Sequence, residues 1–398
     1  FFPSAAAAWR IIDENFMRSQ HLLSDLKLRA SYGVTGNAAV GAYQTQSGLL
    51  LIPFEWNDQS ALAYGLDPQT GNPNLKWELT GSADAGVDFS LFKGRVSASV
   101  DYYDSRTHDL LLTRQLPSTS GVSKILENIG KTRNNGIEVS LKTINIQSKT
   151  LTWSTSLTYT RNKERIVELV GNQSDIGNKW IIGSPVNSFY DYRKTGIWQT
   201  ADSALAKSYG YKPGDIRVRD ISGPAGKPEG KIDANNDRKV LGSAVPDYSV
   251  GFSNDLRFSN FDLSVYVFAR IGQMFTSAYA NKFEPNAIEN GANVNYWTPE
   301  NPTNDYPRPN ANVSRAALPF ATTLGYKDGS FVKIRNITIG YTLPPTLVRR
   351  WHMNGLRVYA SMKNYFTFSK VKDYDPEGGG SFEGPLTKLV VTGLSIDL

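Results

Sequence analysis

The segment Thr150-Leu-Thr-Trp-Ser-Thr-Ser-Leu-Thr-Tyr-Thr160 alternates between two kinds of side chain along its whole length. Leu151, Trp153, Leu157 and Tyr159 fall on one face with one threonine, and the other face carries only serine and threonine. A period of two predicts a β-strand with one apolar and one polar face. The same alternation occurs in Arg95–Ser105, Gly136–Lys142 and Phe261–Arg270. Such segments run to about ten residues, the length at which a strand tilted by ~45° crosses a bilayer.

The connections between the predicted strands differ in length at the two ends of the sheet. Short turns lie at Phe92-Lys-Gly94, Gln147-Ser-Lys149 and Ser259-Asn260. Long connections cover residues 35–75, 107–134, 163–186, 199–245 and 272–328. Short turns on one side and long loops on the other are typical of a transmembrane β-barrel, and a β-sandwich would rarely lengthen all its loops at one end.

The predicted fold class is therefore all-β, an antiparallel transmembrane β-barrel with short periplasmic turns and long extracellular loops. The alternation predicts about 12 or 13 strands. They lie near residues 5–11, 26–34, 76–91, 94–106, 135–147, 150–162, 187–199, 246–258, 260–271, 330–342, 355–368 and 388–398, with a further candidate near 44–53.

The composition excludes several other classes of protein. Hydrophobic residues make up 40% of the 398 residues and aromatic residues 12%, which suits a barrel with a polar lumen and aromatic girdles. The chain has no cysteine, so disulfides and thiolate chemistry are excluded. No apolar segment approaches the length of a transmembrane helix. The net charge of +6 comes from dispersed lysines and arginines, which predicts no nucleic-acid partner and suits a polar lumen and contact with anionic lipid heads.

Several short motifs follow one another along the chain. The most extended is Asp328-Gly-Ser-Phe-Val-Lys-Ile-Arg-Asn-Ile-Thr-Ile-Gly-Tyr-Thr-Leu-Pro344. The others are Phe2-Pro3, Leu26–Asn37, Asn72–Glu78, Asn135–Glu138, Gly230–Arg238, Tyr296–Pro302, Tyr306–Pro309, Tyr359–Asn364 and Tyr374–Glu377. Together they resemble the C-terminal barrel of the SusC/RagA family of TonB-dependent nutrient transporters, and the resemblance covers nearly the whole chain.

The resemblance implies a larger assembly in the outer membrane of a Gram-negative bacterium. Residues 1–398 would form the C-terminal part of a barrel of about 22 strands, with the plug domain, TonB box and signal peptide expected upstream and absent from this chain. The implied partners are a SusD-like surface lipoprotein, the TonB complex through the N-terminal part, outer-membrane lipid and lipopolysaccharide, and a glycan or peptide cargo. Two edges of the sheet would remain unpaired without the other strands.

An acidic segment offers a candidate calcium site. Asp233, Asn235 and Asp237 have the spacing of the first three ligands of a calcium loop, and Asp220 precedes them. Arg238 stands where the turn glycine belongs, and Ala244 stands where the bidentate glutamate belongs. We therefore favour a loop held by Asx turns, with calcium as the alternative and no other cofactor expected.

Aromatic residues of the long loops are candidate contacts for substrate or partner. Tyr and Trp rings stack on the C–H faces of sugars and carry a polar group. The alternative is packing inside the loops, which we favour for Trp297 in its proline-framed segment. The candidates are Tyr209, Tyr211, Tyr296, Trp297 and Tyr306.

No catalytic motif occurs in the sequence. His21, His108 and His352 lie far apart, and neither a nucleophile elbow nor a P-loop is present. The sequence thus predicts a non-enzyme that imports oligosaccharides or other large nutrients. A non-energised porin or structural barrel and a soluble β-rich glycan-binding module remain the alternatives.

Overall fold

The computed structural model describes residues 1–38, 40–223, 226–287, 293–381, 383 and 386–397. The first nine strands are β1 (Ser4–Arg10), β2 (Leu23–Asn37), β3 (Leu49–Trp56), β4 (Gln59–Leu66), β5 (Gln69–Thr70), β6 (Glu78–Leu91), β7 (Val96–Gln115), β8 (Lys124–Gln147) and β9 (Leu151–Glu168). The next seven are β10 (Ser188–Tyr192), β11 (Lys194–Ile197), β12 (Ile216–Val218), β13 (Arg238–Ser243), β14 (Tyr248–Phe258), β15 (Phe261–Ile271) and β16 (Met274–Thr276). The last four are β17 (Tyr326–Asp328), β18 (Phe331–Thr342), β19 (Gly355–Ser369) and β20 (Leu389–Asp397). Two short α-helices are α1 (Ser203–Ser208) and α2 (Pro345–Val348).

Among the described residues, twelve strands form one sheet, in the order β1-β2-β6-β7-β8-β9-β14-β15-β18-β19-β20 with β5 attached in parallel to β8. Strands paired along this path are antiparallel, for example β14 with β15 and β18 with β19. Neighbours in the sheet are neighbours among the long strands of the chain, and the predicted antiparallel sheet is confirmed. In the described part of the chain β1 and β20 each have one partner strand. No helix among the described residues is long and apolar enough to cross a membrane.

The chain divides into two compact units. The first unit comprises Phe1–Gly94, Ala98–Glu138 and Asn162–Val186. In it Leu28 of β2 lies opposite Val87 of β6, and Arg29 lies opposite Gly86. Alternation therefore separates an apolar face from a polar one, as the sequence predicts.

The second unit comprises Arg95–Ser97, Val139–Arg161 and Asn187–Leu398. On one face of its sheet Phe252 lies opposite Val267, Ile339 opposite Ala360, and Leu394 opposite Val358. Large apolar side chains on this face stay exposed, including Ile339 at 56% and Leu394 at 63%. Exposure of this extent over a continuous face is unfavourable in water and favourable against lipid chains.

One predicted strand is wrong. Residues 187–199 do not form a single strand of the large sheet. They divide into β10 and β11, which pair with β13 and β12 in two-stranded sheets of their own. Gly196 has a φ of 151°, and the register shifts between Lys194 and Gly196, so the segment bends and takes partners within its own long connection.

Two connections also contain more strand than the sequence predicts. Most of the predicted loop 107–134 extends β7 to Gln115 and begins β8 at Lys124. The candidate strand near 44–53 is β3, which pairs with β4 as a separate hairpin. At the C-terminus β20 covers the predicted last strand, whose final residue, Leu398, lies outside the described residues.

Candidate functional site

An arginine–aspartate pair marks the polar face of the second unit. Arg357 of β19 donates to both carboxylate oxygens of Asp262 on β15, at 2.9 and 2.5 Å. The strand between them, β18, presents Gly340 at this level. A Cβ atom on Gly340 would stand 2.4 Å from both partners, so only glycine lets the pair lie flat across β18. A cavity of about 360 Å³ beside this pair is lined by Thr152, Ser154, Asp255 and Ser264.

The first unit repeats the arrangement with two acids. Arg29 of β2 donates to Asp88 of β6 at 2.8 and 2.9 Å, and its Nη2 lies 2.7 Å from Asp101 of β7. Gly86 lies beneath this cluster, and a Cβ there would stand 2.2 Å from Asp101. Charge-assisted hydrogen bonds therefore hold the guanidinium of Arg29 between the carboxyl groups of Asp88 and Asp101.

Hydroxyl pairs line the remainder of the polar face. Thr80 and Thr107 are joined at 2.8 Å, as are Ser82 and Ser105 in the same unit. In the second unit Thr338 and Ser361 are joined at 2.5 Å. Hydroxyls both donate and accept, so such a wall can exchange hydrogen bonds with a passing polar solute.

The long connections of the second unit have a hydrophobic core of their own. Trp297 is 5% exposed and Tyr306 is 8% exposed, and both belong to this core. Trp297 Nε1 donates to Gln199 Oε1 at 2.9 Å, and burial raises the pKa of Tyr306 to about 12. Tyr296, by contrast, is 44% exposed. Of these three candidate aromatic residues, only Tyr296 presents a large part of its ring to solvent.

Tyr209 and Tyr211 flank the end of α1. The Tyr209 hydroxyl donates to Asp220 Oδ2 at 3.0 Å, and the ring packs at 5.8 Å from Trp198. Burial, reinforced by this hydrogen bond, raises the pKa of Tyr209. Tyr211 packs at 5.7 Å from Phe320. Substrate or partner contact by these tyrosines stays a prediction.

The four candidate calcium ligands lie in one connection, where the carboxylates of Asp233 and Asp237 accept hydrogen bonds from the protein. Asp237 is 1% exposed and accepts backbone N–H groups from Ile221 and Asp233 at 2.7 and 2.9 Å. Asp233 accepts the side-chain amide of Asn236 and the backbone N–H groups of Asn235 and Asn236, and these hydrogen bonds lower its pKa. The remaining ligand is Asp220.

One oxygen of Asp220 accepts the Gly230 N–H at 2.9 Å, while the other is buried and has no hydrogen-bond partner among the described residues. Over the described residues no group of three acidic or histidine side chains is placed to hold one metal ion. Calcium binding by Asp220, Asp233, Asn235 and Asp237 thus stays a prediction.

Two features escaped the sequence reasoning. The first is the burial of Lys333, which is 0% exposed and pairs with Asp375 and Glu377 in the loop after β19. Arg335 also pairs with Glu377. The sequence contains both motifs, Lys333-Ile-Arg335 and Asp375-Pro-Glu377, and their opposite charges were the available signal.

The second feature is the apolar hairpin formed by β3 and β4. Both of its faces carry exposed large side chains, and the turn at Asn57 and Asp58 has positive φ angles of 52° and 56°. The run Leu49-Leu-Leu-Ile-Pro-Phe-Glu-Trp56, apolar except for Glu55, was the signal, because an alternating strand would not place bulky residues on both faces. The exposed residues are Leu49, Leu50, Leu51, Ile52, Phe54, Trp56, Leu62, Tyr64 and Leu66.

These features define an outer-membrane β-barrel wall with structured surface loops. The family model described as "TonB dependent receptor-like, beta-barrel" matches residues 1–365, and the chain belongs to this family. Members of the family are outer-membrane proteins of Gram-negative bacteria, which places this chain in that membrane. The predicted fold class and location are therefore confirmed.

Individual relatives agree with this assignment. TonB-dependent receptor P3 of Formosa agariphila is 33% identical over 95% of the chain, and TonB-dependent receptor SusC of Bacteroides thetaiotaomicron is 28% identical over 94%. A solved structure of the RagAB peptide transporter superposes with a TM-score of 0.79 at 26% identity and covers 99% of the chain. The chain spans 38%, 37% and 43% of these three proteins respectively. The resemblance to SusC and RagA is confirmed, and these relatives are receptors and transporters, not enzymes.

Proposed function

We propose that this chain supplies barrel strands and surface loops to a TonB-dependent importer of oligosaccharides, peptides or other large nutrients. The observation that carries the proposal is the polar face, where ion pairs and hydroxyl pairs form a hydrogen-bonding wall held in place by glycine. Two similar proteins support this proposal, since SusC is a TonB-dependent receptor and RagAB is a peptide transporter. Energy would reach the whole receptor from the TonB complex.

A SusD-like surface lipoprotein is the proposed partner, and the β3–β4 hairpin is its proposed contact. Leu62 and Tyr64 are 64% and 74% exposed, and Trp56 is 72% exposed. A patch of this size on both faces of a hairpin is costly in water and favours cover by another protein. The hairpin lies in a long connection, the side on which a surface lipoprotein would dock.

The two alternatives differ in what they require. A soluble glycan-binding module is disfavoured, since the exposed apolar faces and the membership of an outer-membrane family both oppose it. A non-energised porin also has a polar wall, so energy dependence separates it from the proposed importer.

Uptake by cells tests the function. The complete receptor gene is deleted from its host, and depletion of an oligosaccharide pool and a peptide pool from the medium is followed with and without a protonophore. We expect uptake of one of the two pools to be lost when the receptor gene is deleted, and also when the protonophore is added to wild-type cells. Receptor-dependent passage that persists with the protonophore would identify a porin.

Co-purification tests the partner. Leu51→Asp combined with Leu62→Asp replaces two exposed leucines on one face of the hairpin. We expect the lipoprotein to be lost from the purified receptor. The control, Gln59→Asp with Ser60→Asp, adds the same charges at polar positions of the same hairpin and should retain it. If both variants retain the lipoprotein equally, the hairpin is not part of the interface.

A further inference from the structure

The apolar face of the first unit ends in a group of cations. On β7, Ala98, Val100 and Tyr102 share one face, and Asp104 and Arg106 follow on that face toward the long-loop end. Tyr102 is 47% exposed, as expected for an aromatic residue at a membrane boundary, and the Arg106 side chain is 71% exposed.

Two cations of β9 lie at the same level. On the opposite, polar face, the Tyr103 hydroxyl donates to Asn162 Oδ1 at 2.8 Å, which sets residue 162 of β9 level with residue 103 of β7. Alternation then places Lys163 and Arg165 on the outward face of β9, across β8 from Arg106, and both are exposed.

The cations Arg106, Lys163 and Arg165 are not balanced by the carboxylates around them. Arg133 Nε lies 2.9 Å from Asp104, and Lys131 pairs with Glu168 at 2.6 Å, so both carboxylates are already neutralised. Arg106 lies only at the edge of this network, 3.4 Å from Asp104. Within the described ranges neither Lys163 nor Arg165 forms an ion pair. Lys163 and Arg165 are thus unpaired, and Arg106 shares the single carboxylate of Asp104 with Arg133. Such an excess of positive charge is self-repelling and attracts a multivalent anion.

An apolar groove lies on the other side of Tyr102. It has a volume of about 550 Å³ and is lined on the outward face by Trp9, Leu28, Val87, Val100 and Tyr102. Arg106 is four residues beyond Tyr102, a distance of about 13 Å along a strand. A ligand that fills both places must combine an apolar chain with an anionic head about 10 Å away, given a strand tilt of ~45°.

We propose that this face binds lipid A, the phosphorylated and multiply acylated glycolipid of the outer leaflet. Arg106, Lys163 and Arg165 would hold a phosphate group, and an acyl chain would lie in the groove between Trp9 and Tyr102. Arginine suits this role because its guanidinium donates two parallel hydrogen bonds to phosphate oxygens. The cations lie at the long-loop end, which favours a lipid of the outer leaflet over a phospholipid of the inner one. This inference rests on the membrane location and not on the proposed cargo.

Lipid binding by the complete receptor tests the proposal. The receptor is delipidated in detergent, diphosphorylated hexa-acyl lipid A is added, and bound lipid is counted by native mass spectrometry. The test variant is Arg106→Gln/Lys163→Gln/Arg165→Gln. The control is Lys93→Gln/Arg95→Gln/Lys149→Gln, which removes three exposed cations from the short-turn end. Heat-modified migration on gels confirms that each variant is folded.

The expected result is an affinity at least about tenfold weaker for the test variant, a difference of ~1.4 kcal/mol, with the control unchanged. Arg106→Lys/Lys163→Arg/Arg165→Lys should retain binding, since it keeps the charge. Equal binding by test and control variants would overturn the proposal. Equal wild-type affinity for dephosphorylated lipid A would also overturn it, and so would equal displacement by phosphatidylglycerol or inorganic phosphate.

Discussion

Lys333 of β18 and Asp375 of the loop after β19 form a buried ion pair, with Nζ 2.7 Å from Oδ1. The Lys333 side chain is 0% exposed and that of Asp375 is 16% exposed. Glu377 adds a second carboxylate at 3.0 Å. The pair fastens the loop to the polar face of β18, so loop position and strand chemistry depend on each other.

Removing the lysine should be costly. Lys333→Met leaves two poorly solvated carboxylates, Asp375 and Glu377, with one cation fewer, and we expect a loss of about 3 kcal/mol of unfolding free energy. Lys333→Met with Asp375→Leu should recover more than half of it. Urea unfolding in detergent measures both. The matched control is Lys370→Met, whose lysine pairs with Asp328 at 2.9 Å but is 82% exposed, and it should change stability by less than about 1 kcal/mol. Equal losses for both lysines would contradict the account.

Gly340→Ala should disturb the polar wall. The new methyl group would fall 2.4 Å from Arg357 Nη2 and Asp262 Oδ1, so the ion pair must move aside, at a cost of about 1–3 kcal/mol. Gly378→Ala is the control, because its Cβ would meet no atom of the described residues within 4 Å and its φ is not positive. The comparison uses the same unfolding assay, and an unchanged midpoint for Gly340→Ala would show that the pair can relax freely.

Asp237→Ala should open the acidic loop. The carboxylate accepts hydrogen bonds from the backbone N–H groups of Ile221, Ser222 and Asp233. Its loss should lower the free energy of local opening by about 1–3 kcal/mol, and the amides of the loop should exchange faster. Hydrogen exchange with and without millimolar calcium measures this in the wild type and the variant. Protection that is the same under both conditions supports hydrogen bonds alone, while a calcium-dependent rise in the wild type would establish the predicted ion site.

Lys194 should make loop stability depend on pH. Burial, reinforced by the nearby Lys327, lowers the pKa of Lys194 from 10.5 to about 8, while its ammonium donates to the carbonyls of Asn304 and Asp305. Between these two pH values the unfolded loop binds more protons than the folded one, so folding should become more favourable as pH rises from about 8 to 10.5.

Thermal melts of the wild type and of Lys194→Met at several pH values check this. The difference in stability between them should shift in favour of the wild type above pH 8. Lys212→Met, at an exposed lysine, serves as control. A difference that stays constant across this window would contradict the lowered pKa.

Most of the large sheet could be predicted, because its strands and turns are determined by residues close together in the sequence. The turn at Ser259-Asn260 separates β14 from β15 as expected, since two polar residues interrupt two alternating segments. The alternation in β15, from Phe261 to Ile271, follows from having one face toward lipid and one polar face, and it requires no knowledge of distant residues.

The errors arose where partners are distant in sequence. The segment 187–199 has strand character, but its choice of β12 and β13 over the large sheet depends on the loop core around Ile197 and Trp297. The burial of Lys333 depends likewise on Asp375, 42 residues away. Alternation reports which face a residue occupies and not which loop will cover it.

Cysteine labelling tests the central claim, that the long connections face the exterior of an outer-membrane barrel. The chain contains no cysteine, so single substitutions in the complete receptor give clean signals, provided that the rest of the receptor is also cysteine-free. Thr200→Cys lies in a long connection, and Ser148→Cys lies in the short turn between β8 and β9. A membrane-impermeant maleimide added to intact cells should label position 200 and leave position 148 unlabelled until the outer membrane is opened. Labelling of position 148 in intact cells, or of neither position, would contradict the assigned topology.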